Sequence, residues 1–305
     1  MFMEPVSDPI TPAPSAHAQP ALQPEPGPAE RVSEGRKGCL VLPTLPPAQV
    51  QSYVDANQRD AASLLAGFWA ALEPGLLEEA LAKYPNNPQV NLVAYFSGRH
   101  DRREPANPMR RSLLDRLKQS DPENSLGYYL SASDYFKSGQ TDKALEELKA
   151  ATAKTSFRDY SGDLIQHAEK LWQTAGYTEA KAKAVASARL NIEAIVELKR
   201  LGESLASLAS AYLQGGDADS ARVVLHIAAT LGAQLDQPCA TGLVRNLTGL
   251  RIEAQVLRAF SPTTPYDDSG RTVADRLAEI AQRSEALMSL SEQWAKAQPT
   301  AADSD

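Results

Sequence analysis

LGYYLSASDYFKSGQTDKALEELKAA, residues 126–151, is the stretch whose reading decides the fold. Small and apolar residues recur in it at helical spacing, first as Tyr128, Ala132 and Tyr135, then as Ala144, Leu148 and Ala151, with Gly139 between the runs. Side chains three and four apart share one face of an α-helix, so each run makes an apolar stripe. Glycine takes the positive φ that ends a helix and lets the chain reverse. The stretch therefore predicts a hairpin of two antiparallel helices. The pattern returns 77 residues later in residues 203–228, as Leu205, Ala209, Tyr212, Gly216, Ala221, Leu225 and Ala228. Ala132 with Ala144, and Ala209 with Ala221, let two helix backbones come close, and Tyr135 and Tyr212 are assigned to the wedge beside them. A bulky residue at Ala144 or Ala221 would overpack the pair, at about 1–3 kcal/mol.

Outward from these hairpins the chain stays helical. No proline occurs from Glu123 to Gln237, and most glycines in that run stand where helices would end, at Gly139, Gly176, Gly202, Gly215, Gly216 and Gly232. The periodicity predicts helices over 48–72, 74–84, 89–99, 108–119, 125–137, 141–154, 161–174, 178–200, 203–214, 217–231, 240–259 and 272–297. Pro74 and Pro108 sit at first-turn positions, and Asp217 is placed to cap the helix after Gly216. No alternating apolar run of strand length appears, so the fold class is all-α. Residues 1–47 hold 11 of the 21 prolines and no apolar periodicity, which reads as a disordered arm, with the folded body over 48–297 and a disordered tail over 298–305.

Two antiparallel helices with a small residue, a tyrosine, an alanine, a large apolar residue and a second alanine at these positions resemble the tetratricopeptide (TPR) repeat. The resemblance covers roughly residues 75–235, with earlier degenerate copies at Leu113, Leu114 and Leu117 before Asp121-Pro122, and at Tyr84-Pro85. As a whole the chain also resembles bacterial TPR-type proteins that carry no assigned activity. The resemblance implies an α-solenoid of helix hairpins, here with an irregular insertion around 157–200 and long terminal helices. It also implies a groove lined by repeat positions 2, 5, 9, 12 and 13. In the first unit these are Leu126, Tyr129, Ser133, Phe136 and Lys137; in the second they are Glu203, Ala206, Ser210, Leu213 and Gln214. The chaperone-binding branch of the family uses Lys and Asn there, and Tyr129 and Ser133 depart from that.

Composition narrows the function. A net charge of −7 and a pI of about 5.3 argue against bulk binding to nucleic acid. No stretch reaches the ~20 apolar residues of a membrane span. The beginning lacks a basic then apolar leader, which makes the cytoplasm the default location and envelope association the expectation if an anchor precedes it. Cys39 and Cys239 suggest no disulfide framework. His17, His100, His167 and His226 form no i,i+3 or i,i+4 pair, so no metal site is expected. Asp217-Ala218-Asp219 lacks the rest of a calcium loop. No phosphate loop or nucleophile elbow occurs, and no catalytic residue or cofactor is expected.

One local charge feature stands apart. Seven basic residues against three acidic ones lie between Arg99 and Lys118, a local +4 that leaves −11 for the rest. Arg99, Arg102, Arg103, Arg110 and Arg111 form this patch, read either as a solvated face or as a dock for an acidic partner. The sequence thus points to a non-catalytic scaffold with a protein or peptide partner. The alternatives are an enzyme whose site is assembled from distant residues, or an envelope-associated assembly subunit.

Overall fold

The computed structural model describes residues 42–98, 107–189, 193–236 and 242–297. Among them the chain is all-helical, with two isolated bridges, Asn124 with Ser156 and Pro265 with Thr272, and no strand. In order the helices are α1 (Pro47–Ala56), α2 (Ala61–Ala71), α3 (Pro74–Lys83), α4 (Pro88–Ser97), α5 (Pro108–Ser120), α6 (Ser125–Lys137) and α7 (Thr141–Thr152). They continue as α8 (Ser161–Thr174), α9 (Glu179–Arg189), α10 (Glu193–Gln214), α11 (Ala218–Leu235), α12 (Gly242–Leu257) and α13 (Val273–Ala297).

Local chemistry explains most boundaries. A proline with its fixed φ and no N–H opens α1, α3, α4 and α5, where the missing donor costs nothing. Asn87 accepts from Val90 N at 3.1 Å and Asp217 from Ser220 N at 3.0 Å, each satisfying a first-turn N–H. Gly139 and Gly216, at φ of 71° and 79°, end α6 and α10 as the hairpin reading expects.

Three expectations change. The helix expected over 48–72 is two, because Asp60 caps α2 by accepting from Ser63 N at 2.7 Å, while Gln58 and Arg59 take positive φ. Arg59 holds that turn in place, donating from Nε to Glu79 at 2.7 Å and from Nη1 to Asp55 at 2.6 Å. Gly202 and Gly232 do not end helices. A Cβ at Gly202 would lie 2.7 Å from Ile252 of α12, and one at Gly249 2.7 Å from the Gly232 carbonyl oxygen. These glycines let α12 press against α10 and α11 at backbone distance.

The third change concerns the expected 1–47 arm. Residues 1–41 and 298–305 lie outside the described residues, but Leu42 to Pro46 belong to the body. Leu45 is 3% exposed and donates its N–H to the Ala70 carbonyl at 3.1 Å. Arg189, at the end of α9, donates to the carbonyls of Leu42, Pro43 and Trp69. The body thus begins about six residues before the expected start at residue 48. A chain starting at 48 should be less stable than one starting at 42 by about 2 kcal/mol, from loss of the buried leucine. Parallel thermal melts should separate the two by ~5 °C, and equal melting temperatures would show that Leu45 contributes nothing.

The packing order is not the sequence order. α6 pairs with α7 and α10 with α11, as the two hairpins require, and α6 then packs on α10 and α7 on α11. The units 77 residues apart are neighbours in space. The intervening α8 and α9 pack on each other, with α8 also against α2. α4, α5 and α6 follow in contact, α12 covers α10 and α11, and α13 rests on α12.

Candidate functional site

α10 carries a polar face at three- and four-residue spacing: Glu193, Val196, Glu197, Arg200, Glu203, Ser204, Ser207 and Leu208. The first half of that face looks toward α4 and α5, and the second half toward the C-terminal end of α6. Beside α6 it forms an open hollow of about 510 Å³, lined by Ser133, Phe136, Lys137 and Thr141 on one side and by Arg200 to Leu208 on the other. Toward α4 and α5 it closes to a cavity of about 100 Å³ between Tyr95, Arg110, Glu193 and Glu197. Arg200 lines both, so the two form one crease.

Glu197 is the hinge of this arrangement. Its side chain is 7% exposed, and Lys137 Nζ and Arg200 Nη1 both donate to it, the latter at 2.7 Å, with Ser133 Oγ at 3.4 Å. Burial pushes this carboxyl up, but the hydrogen bonds and charges of Lys137 and Arg200 outweigh it and hold the group below its ordinary range. Glu197 is therefore charged in the fold, tying α6 to α10.

The expected groove residues divide. Leu126 and Tyr129 are fully buried and Ser133 is 3% exposed, so these three do not face a ligand. The reason is the stacking order: α10 lies directly against α6 and covers the face that the repeat register assigned to a groove. Phe136 and Lys137, at the end of that face, reach the crease. Of the second unit's positions, Glu203 lines it. The aromatic assignment changes at Tyr129. Tyr129 is core, while Tyr135 is only partly buried, with the Arg111 guanidinium 3.8 Å from its ring centroid.

The basic patch is also different from its sequence reading. Arg99, Arg102 and Arg103 lie outside the described residues. Arg110 and Arg111 do not form a solvated cationic face. Arg111 donates to Asp134 at 2.5 Å and to Ser131 at 2.6 Å, and Arg110 is 8% exposed with its guanidinium 4.6 Å from the Tyr95 ring centroid. Burial pushes the Tyr95 phenol up to about 12, against the lowering pull of Arg110.

Sequence reasoning missed Glu193, Val196, Glu197, Arg200, Ser204, Ser207 and Leu208. The first four fall in the stretch read as insertion or as the end of a separate helix, although their spacing marks one helix face. Among the described residues, no group of three or more His, Cys, Asp or Glu side chains could hold a metal ion. No described helix is long and apolar enough to cross a membrane. The family models, curated proteins and solved structures compared with this chain contain no match to it.

Proposed function

We propose that the protein is a TPR-like, non-catalytic scaffold whose crease between α6 and α10 receives a segment of a protein partner. The observation that carries this reading is the stacking of the two hairpins. Copies of one pattern, 77 residues apart in the sequence, pack first helix on first helix and second on second, as repeats of one solenoid do. The crease suits a peptide: Phe136 and Leu208 offer apolar contact, Ser204, Ser207 and Thr141 offer hydroxyls, and Glu203 offers a charge. Further hollows, of about 830 Å³ between α1 and α8 and about 460 Å³ between α12 and α13, are likewise open to solvent and poor in clustered titratable groups. That favours a binding surface over an enclosed reaction site.

A photo-crosslinking amino acid placed at Ser207, in the crease, should give a discrete crosslinked species in cells that make the protein. The same residue at Val223, an exposed position on α11, should not. Equal crosslinking at both positions, or none at Ser207, would count against the crease as the binding face.

A further inference from the structure

At the closed end of the crease one buried cation has no carboxylate partner among the described residues. Arg110 and Arg200 line it, Lys137 lines the adjoining hollow, and Arg111 follows Arg110 on α5. Arg111 is matched by Asp134, while Lys137 and Arg200 share Glu197. Glu193 lies in the wall with an interaction of its own. Arg110 has no carboxylate within 4 Å among the described residues, its Nε is buried without an acceptor there, and its guanidinium lies against the ring face of Tyr95. It is nevertheless more than nine-tenths buried, and so is Tyr95, whose hydroxyl is buried with no partner at hydrogen-bond geometry among the described residues. A buried guanidinium whose Nε has no acceptor and which has no counter-charge beside it among the described residues is costly, and proteins retain such groups where something else supplies the charge.

The cavity beside Arg110, about 100 Å³, has room for several water molecules or one small anion. We propose that it binds a small free monocarboxylate, whose oxygens accept from the Arg110 guanidinium. Three features select that class. Arg110, without a carboxylate partner among the described residues, calls for a single negative charge, and the Glu193 and Glu197 carboxylates in the same wall repel a dianion such as phosphate more strongly than a monoanion. A guanidinium edge presents parallel N–H groups that match a planar carboxylate. The remaining wall includes Phe96 and Val196, which suit a short alkyl substituent. This site does not depend on whether the open part of the crease holds a partner.

The test uses the full chain. Thermal melts are run with sodium propionate up to ~100 mM against sodium chloride at equal ionic strength and pH. Because a ligand that binds only the native state raises stability as ln(1 + [L]/Kd), propionate should give a saturable rise of a few degrees and chloride none. Inorganic phosphate should shift the melt less than propionate. Arg110→Gln should abolish the propionate shift. If that variant does not fold, Tyr95→Phe, which keeps the ring but removes the buried hydroxyl as a second donor to the carboxylate, provides the second reading through a several-fold weaker apparent affinity. A wild-type chain that does not respond to propionate overturns the proposal, as does an undiminished response in Arg110→Gln. A response to a peptide bearing a free carboxylate, with none to propionate, overturns the free-acid assignment and gives the site to a partner protein.

Discussion

Tyr129→Ala is expected to cost about 3–5 kcal/mol, the loss typical of deleting a fully buried aromatic ring and leaving its cavity. Tyr129 has no exposed surface. Its ring sits on the face of α6 that carries Ser133 and Lys137 toward Glu197 of α10, so its removal opens the junction between the two hairpins. Tyr135→Ala should cost distinctly less, because that ring is partly exposed and packs partly on the Arg111 guanidinium. Tyr129→Phe separates ring from hydroxyl. The buried Tyr129 hydroxyl has no hydrogen-bond partner among the described residues, and burial pushes its pKa well above the usual phenol range. Deleting an unsatisfied buried hydroxyl should leave stability unchanged or raise it slightly. Urea unfolding of the three variants at one pH measures all of this. A loss in Tyr129→Ala no greater than in Tyr135→Ala would place Tyr129 outside the core.

The second large effect is expected at the docking of α13. Glu253 on α12 is 2% exposed and accepts from Arg276 Nε at 2.7 Å, from Arg276 Nη2 at 2.8 Å and from the Tyr266 hydroxyl at 2.8 Å. The bidentate fork and the phenol together satisfy a carboxylate that water cannot reach. Arg276→Ala strands that carboxylate and should destabilise the chain by about 3–5 kcal/mol. Arg276→Met combined with Glu253→Leu removes both charges and should recover most of the loss, since an apolar pair of similar volume has no desolvation cost. Chemical denaturation of the single and double variants tests the pair, and hydrogen exchange over 273–297 shows whether α13 loosens first. If the double variant is no more stable than Arg276→Ala, the pair contributes specific geometry that an apolar contact cannot replace.

Much of the local structure was legible in residues 126–151 and their copy, because its causes are local. Alanine and leucine at helical spacing, Gly139 and Gly216 at the reversals, prolines at first turns and Asp217 at a cap each act within a few residues. Gly202 and Gly232 were misread for the same reason. A glycine that ends a helix and one that admits a neighbouring backbone look alike until Ile252 and Gly249 are seen beside them. The break at Asn57–Asp60 was legible in principle, since Asp60 followed by Ser63 is a capping signal that the apolar run around it obscured.

The sequence by itself determined that the chain is helical, where most helices start, and which hairpins repeat, since these follow from hydrogen bonding and side-chain sterics along the chain. Only the tertiary structure decided that α10 lies on α6 while α8 and α9 turn aside to α2. That choice put Tyr129 in the core and brought Glu197 to Lys137, 60 residues away. It also placed Arg110 in a cavity rather than on a solvated face. Burial is a property of what packs against a residue, and a helix periodicity shows which side chains share a face but not which neighbour covers that face.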